Sequence, residues 1–320
     1  MNLFGKLIGQ NQAVELLQQA VRQNRIAPAY LFAGCGGVGR KLAAIDFATL
    51  LLCQDKSPEN YPLIEKRVST GNHPDLLWVE PTYLHQGKTI TAKEAANQGI
   101  KRKAPPQIRI EQIRSVTKFL SRPPLEASRC VVVLEEAQTM AEGAANALLK
   151  TLEEPGKATL ILIAPSSEAL LPTLVSRCQV IPFSRLTRGN LKQVLIQAGY
   201  EKILSQDIIL EISQGSPGEA ITAWQHLQAI PNDLLDRLVV IPNNSCDALK
   251  LAQEIHQNLD TETQLWLINY LQYQYWQSFL QGKICQPPLE IFEEARQGLI
   301  AYAQPRLVWE VTWLKMLADN

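Results

Sequence analysis

The stretch that most restricts how this chain can fold is Ala33-Gly34-Cys35-Gly36-Gly37-Val38-Gly39-Arg40-Lys41-Leu42. Before it, Tyr30-Leu31-Phe32-Ala33 is a short apolar run of strand type; after it, Lys41 to Leu52 reads as a helix. A buried strand that turns through glycines into a helix is the setting of a phosphate-binding loop, G-x-x-x-x-G-K-[ST]. There the backbone N–H groups curl around phosphate, the lysine meets the β/γ oxygens and the hydroxyl holds Mg²⁺. Gly34 and Gly39 keep that frame, with Gly37 between them, but Arg40 stands in the lysine position and Lys41 in the hydroxyl position. An ammonium cannot ligate a metal, and a guanidinium is longer and planar where lysine is a compact point charge. The context predicts the fold of a nucleotide site, and its two working positions predict loss of the chemistry. A helix N-terminus would still favour an anion.

Four further apolar runs read as strands: Leu76-Leu77-Trp78-Val79, Cys130 to Leu134, Ala158 to Ala164 and Gln179 to Phe183. Alternating with helices, the five predict a parallel sheet covered on both faces. Cys130-Val131-Val132-Val133-Leu134 ends in Glu135-Glu136. In P-loop ATPases such a strand ends in a metal-binding acid followed by an acid that polarises the attacking water, so Glu135 and Glu136 join the candidate nucleotide site. Helical spacing is found in residues 11–24, from Ile110 through Ile113, Val116 and Leu120, and from Ala144 through Leu152 until Pro155 and Gly156 stop it. The chain from Cys53 to Gly71-Asn72-His73-Pro74-Asp75 reads as polar and irregular, and residues 81–107 as an exposed loop. The loop's Lys101-Arg102-Lys103 triplet is first a solvated charge run and only second a contact for a phosphate backbone.

Composition removes other classes. The 31 basic and 31 acidic residues balance, so no global field draws the chain to nucleic acid or acidic membranes. No apolar run reaches the roughly 20 residues of a membrane span, and the start lacks a signal-peptide pattern, from which a cytoplasmic location is expected. Cys35, Cys53, Cys130, Cys178, Cys246 and Cys285 form no C-x-x-C pair, which reads as free, mostly buried thiols; no metal is expected. After residue 186 the pattern is helical throughout. The run Leu265 to Trp276 is apolar nearly all round and must be enclosed by neighbouring helices or by another subunit.

With the helix Ala144 to Pro155, the triplet Ser176-Arg177-Cys178, the Gly71 to Asp75 segment and the Gly39-Arg40-Lys41 ending of the glycine loop in view, the chain resembles the AAA+ subunits of the bacterial sliding-clamp loader of DNA polymerase III. The resemblance covers nearly the whole chain. It implies an AAA+ P-loop domain with a five-stranded parallel sheet over residues 1–185, a small helical lid domain over 186–233 and an all-helical C-terminal collar for oligomerisation over 234–320. It also implies a hetero-pentamer with gamma/tau-type ATPase and delta-type subunits that acts on the sliding clamp and primer-template DNA. By that similarity Arg177 would act in trans as an arginine finger on the ATP of a neighbouring subunit.

Three departures from an active member agree with one another. Arg40 and Lys41 alter the phosphate loop, Glu135 replaces the metal-binding aspartate, and Gly215-Ser216-Pro217-Gly218 stands where active members read Gly-Ser-x-Arg. The resemblance therefore implies a non-hydrolysing stator that requires no cofactor and holds at most a passive nucleotide or phosphate. The alternative is an ATPase with an atypical loop, in which Lys41 reaches the cradle one position late and Glu136 serves as the base.

Overall fold

The computed structural model describes residues 3–85, 87–91, 94–95, 105–153 and 156–318; the Lys101–Lys103 triplet lies outside them. The chain divides into two compact units, residues 1–194 and 195–320.

The first unit is built on strands β1 (Ala29–Ala33), β2 (Leu76–Val79), β3 (Thr82–His85), β4 (Lys88–Thr91), β5 (Cys130–Leu134), β6 (Ala158–Ala164) and β7 (Gln179–Pro182). Five of them form one parallel sheet in the order β2-β5-β6-β1-β7, with Ala33 level with both Ala164 and Pro182. Every residue of β5 and β6 is buried, as continuous apolar runs covered on both faces require. Alternation along β1 feeds two cores. Tyr30 and Phe32 pack with Leu17, Phe47 and Leu51 beneath helices α1 (Asn11–Arg22) and α2 (Arg40–Leu52). Ala29 and Leu31 pack with Ile113, Leu148 and Leu160 on the opposite side. Because all five strands run the same way, the loops after β1, β2 and β5 leave from one edge of the sheet, the edge at which open α/β sheets bind ligands.

Two expectations are corrected. The segment after Cys53 contains helix α3 (Tyr61–Ser69), which buries only Ile64 and Val68 and so carries almost no apolar pattern. Residues 81–107 are not simply a loop: β3 and β4 pair as an antiparallel hairpin turned at Gly87, whose φ of +76° suits glycine. Thr82 and Gln107 exchange backbone hydrogen bonds of 3.0 Å, which tethers the hairpin's first strand. Its residues are polar or half-exposed, so alternation gave no signal. Helices α4 (Ile110–Leu120), α5 (Glu142–Glu153) and the single turn α6 (Pro172–Val175) complete this unit, and α7 (Arg188–Gln197) follows.

The second unit is helical: α8 (Asp207–Ser213), α9 (Pro217–Ala229), α10 (Asn232–Leu238), α11 (Ser245–Asn258), α12 (Thr261–Leu280), α13 (Leu289–Ile300) and α14 (Pro305–Ala318). Side-chain caps begin three of them, with Ser216, Asn244 and Asp260 accepting from the backbone N–H groups of Glu219, Asp247 and Thr263. Trp309 and Trp313 are fully buried, and the Trp309 indole donates to Gln264 Oε1 at 2.9 Å. The apolar α12 buries Trp266, Leu267, Ile268, Tyr270, Leu271 and Tyr275, while Trp276 and Leu280 remain exposed. The thiols are less buried than expected: Cys53 and Cys130 are buried, Cys35 and Cys178 half-buried, Cys246 and Cys285 exposed, and all are free. None of the described helices is long and apolar enough to cross a membrane.

Candidate functional site

The glycine loop closes over the start of α2 with Gly37 and Gly39 at positive φ, +71° and +104°. Two of its glycines have packing reasons of their own. A Cβ on Gly34 would lie 2.3 Å from the Phe183 carbonyl oxygen, where β7 passes the loop, and one on Gly39 would lie 2.6 Å from Leu7. Gln10, buried and absent from the sequence reading, donates from Nε2 to the carbonyls of Val38 at 3.2 Å and Ser184 at 2.7 Å. It pins the loop to the chain that leaves β7.

Both cations of the loop meet the acids that follow the strands. Lys41 Nζ lies 2.7 Å from Glu135 Oε2 and 3.4 Å from Glu80 Oε1, and 5.5 Å above the centre of the Trp78 ring. The Trp78 indole donates to the same Glu135 oxygen at 3.0 Å. Burial works against a charged Lys41, but the bond to Glu135 and the charges of Glu135 and Glu80 outweigh it, and the ammonium's pKa is raised. Arg40 is buried, 6% exposed, with Nη2 at 3.6 Å from Glu136 Oε1. Its desolvation lowers the guanidinium's pKa, opposed only in part by Glu136, Cys35 and Glu135. Arg40 Nη1 has no hydrogen-bond partner among the described residues. Glu136 holds a left-handed backbone, φ +50° and ψ +52°, while its carbonyl accepts from Thr139 N at 2.9 Å and Thr139 Oγ1 at 2.7 Å. Such a conformation is uncommon for glutamate and aims its side chain at the loop only because the turn over-determines it.

The structure thus brings together Gly37, Gly39, Arg40, Lys41, Glu135 and Glu136 around a cavity of about 330 Å³, while Gly34 does not line it and packs against Phe183. Trp78, Glu80 and Gln10 belong to the same cluster and had no motif to reveal them. The charged side chains at the loop are two cations against three carboxylates, one net negative charge before any ligand arrives.

Arg177 stands apart from this cluster. It follows α6 and donates from Nη1 to the Thr173 carbonyl at 3.0 Å and from Nη2 to Glu153 Oε1 at 3.0 Å, Glu153 being the last residue of α5. The neighbouring Ser176 hydroxyl donates to the same Thr173 carbonyl at 3.1 Å. Burial pushes the Cys178 thiol up to about 11, so that it packs and does not react. The Gly71 to Asp75 segment has a structural task. Asp75 is buried and accepts backbone N–H bonds from Leu125, Glu126 and Ala127 at 2.6, 2.8 and 2.7 Å.

Residues 9–187 match the family model for the DNA polymerase III delta subunit, and residues 189–316 match that for the C-terminal domain of cyanobacterial DNA polymerase III delta prime. The chain belongs to the DNA polymerase III delta-prime family. It is 32% identical over 191 residues to the delta-prime subunit of Bacillus subtilis, an alignment spanning 59% of this chain and 51% of that protein. The delta-prime subunit of Pseudomonas aeruginosa is 35% identical over 197 residues, 60% of this chain and 54% of that one. The tau subunit of B. subtilis is 27% identical over 272 residues, 79% and 43%. The chain spans about half the length of the curated relatives it matches. Among solved structures, a DNA polymerase III gamma subunit-related protein of Thermotoga maritima superposes with a TM-score of 0.53 over 96% of this chain and 99% of that one, at 16% identity. That likeness is one of fold, a parallel sheet followed by C-terminal helices.

Proposed function

We propose that this chain is a clamp-loader subunit of DNA polymerase III that hydrolyses no ATP itself, braces the assembly as a stator, and offers Arg177 in trans to the ATP of a neighbouring gamma/tau-type subunit. The observation that carries the first part is the Lys41–Glu135 pair. In an ATPase, the hydroxyl at the Lys41 position and the acid at the Glu135 position hold Mg²⁺ between them. Here an ammonium bridges that gap at 2.7 Å, and the Trp78 indole takes the same carboxylate oxygen. These residues do not fit a magnesium nucleotide: the cationic side chain cannot ligate metal, and the acid is already engaged. The net negative charge of the loop also opposes a triphosphate, which needs uncompensated cations. What remains is the N-terminus of α2, which would hold at most a passive phosphate or nucleotide.

Within this reading residues 1–185 are the P-loop domain, 186–233 the lid and 234–320 the collar. The partners are gamma/tau-type and delta-type subunits, with the clamp and primer-template DNA reached through the complex, in the cytoplasm. Lid motif residue Gly218 lies in the first turn of α9, where it offers no side chain to sense a phosphate.

Two measurements test the proposal. Equilibrium binding and turnover of labelled ATP by the isolated chain should show no magnesium-dependent hydrolysis; hydrolysis abolished by Glu136→Gln would establish the alternative, an atypical ATPase. In a reconstituted complex, Arg177→Ala should lower clamp-dependent ATPase by a large factor with assembly intact, since an arginine finger is worth about 10³-fold or more at the site it serves. Unchanged ATPase would remove the finger.

A further inference from the structure

We propose that Glu153 is a positioning residue for Arg177: it holds the guanidinium at the surface in the pose in which a neighbour's phosphate meets it. This rests on the reading of Arg177 as a finger and adds a second residue to it.

A finger has to be long, charged and exposed, which makes it unruly. An unrestrained arginine spreads over many rotamers, and few of them point at a given phosphate. Two hydrogen bonds restrict Arg177. The Thr173 carbonyl, four residues earlier on α6, holds Nη1 at 3.0 Å, and the Glu153 carboxylate, twenty-four residues away on α5, holds Nη2 at 3.0 Å. The first bond ties the head to the arginine's own turn. The second crosses to a different element and fixes the direction of the planar head. Glu153 is also the last residue of α5, so the guanidinium lies by the negative end of that helix, which favours the same placement. Five N–H donors are available on a guanidinium, and these two bonds leave the others unengaged by Thr173 and Glu153. The side chains of Arg177 and Glu153 are 39% and 56% exposed, so the pair stands where a docking surface can reach it.

An exposed pair of this kind contributes little to stability. Its effect would be seen in the fraction of time the finger spends aimed, and so in turnover by the neighbour rather than in affinity for nucleotide. The experiment uses the reconstituted complex with clamp and primed DNA, measuring kcat and KM for ATP and the stoichiometry of assembly. Glu153→Ala should lower kcat about two- to fivefold with KM and assembly unchanged. Glu153→Gln, which keeps an acceptor but not the charge, should fall between it and the parent. The double charge swap, Glu153→Arg with Arg177→Glu, rebuilds an ion pair with its polarity reversed, so it should stay as slow as Arg177→Ala; recovery of kcat in the swap would show a merely structural pair and overturn the proposal. An unchanged or raised kcat in Glu153→Ala, with Arg177→Ala still slow, overturns the proposal and leaves the finger standing. No effect of Arg177→Ala overturns both.

Discussion

Replacing Asp75 with asparagine should cost about 3 kcal/mol at neutral pH, and the figure can be worked from its contacts. Oδ1 accepts from Leu125 N, and Oδ2 accepts from both Glu126 N and Ala127 N, all at 2.8 Å or less, in a side chain that is 1% exposed. Hydrogen bonds to a charged partner are worth about 1.5–3 kcal/mol each against about 0.5–1.5 for neutral ones, so losing the charge removes about 1 kcal/mol per bond. The amide nitrogen must then face one of the N–H groups, donor against donor. Burial alone would raise this carboxyl's pKa, but the three N–H bonds, with His73 adding to them, outweigh it and hold the pKa below the ordinary aspartate value. A depressed folded-state pKa contributes stability that is present above the unfolded value, about 3.9, and is lost as pH falls through the folded one. The difference between parent and Asp75→Asn in urea unfolding should therefore be full at pH 7 and shrink below about pH 4. Amide exchange at residues 125–127 should accelerate in the variant. A difference below about 1 kcal/mol at pH 7, or one that grows as pH falls, would refute the assignment of Asp75 as the anchor of this loop.

Asp46 on α2 behaves oppositely: burial, then repulsion from Glu65, raises its pKa to about 7 against a smaller attraction from Lys6. A raised pKa contributes stability present below the unfolded value, about 3.9, and lost as pH rises from there through 7, so Asp46→Asn should leave stability at pH 3 almost unchanged and add about 2 kcal/mol at pH 8.5 after screening is allowed for. Urea titration at the two pH values checks it. Gly34→Ala forces a Cβ to within 2.3 Å of a backbone oxygen and should lower stability by about 3 kcal/mol, read as a fall in thermal midpoint, whether or not any phosphate is present. Lys41→Met leaves Glu135 with the Trp78 indole as its neighbour in the loop; a loss of about 1 kcal/mol and a changed Trp78 fluorescence are expected, with no gain in magnesium affinity.

What the sequence disclosed and what it withheld follow from how each feature is encoded. β5 and β6 were legible because a strand buried on both faces is a continuous apolar run. The hairpin of β3 and β4 was not, since Thr82, His85, Lys88 and Thr91 face a mixed environment that imposes no alternation. The order of the loop, the acids and the Ser-Arg-Cys triplet could be read along the chain, but their pairings could not. Lys41 and Glu135 are 94 residues apart and meet only because α2 and the chain leaving β5 converge at one edge of the sheet. Arg40 stands in the sequence only as a substitute for the loop's lysine, and nothing there shows that it is buried. The glycines were read for what they would do for phosphate, and Gly34 turns out to be required by the passage of Phe183. Glu153, inside a helix read only for its apolar face, gave no sign that its carboxylate would reach Arg177.

The departures at the loop are better understood as one change than as separate losses. A metal site between a hydroxyl and an aspartate is closed by the ion; with lysine at the first position the same gap must be closed by the side chains themselves. Lys41 supplies the positive charge, and Glu135, one methylene longer than aspartate, extends its carboxylate about 1.5 Å further, to where both Nζ and the Trp78 indole meet it. Arg40, which is buried, and Glu136, which is not, answer each other in the same way. Restoring a hydroxyl at Lys41 alone would leave Glu135 short of a cation, and restoring aspartate alone would pull the acceptor away from Lys41. Either single reversal is uphill. The loop keeps strand and helix joined through its glycines and through Gln10, and under the proposed function it would do so without an ion or a nucleotide.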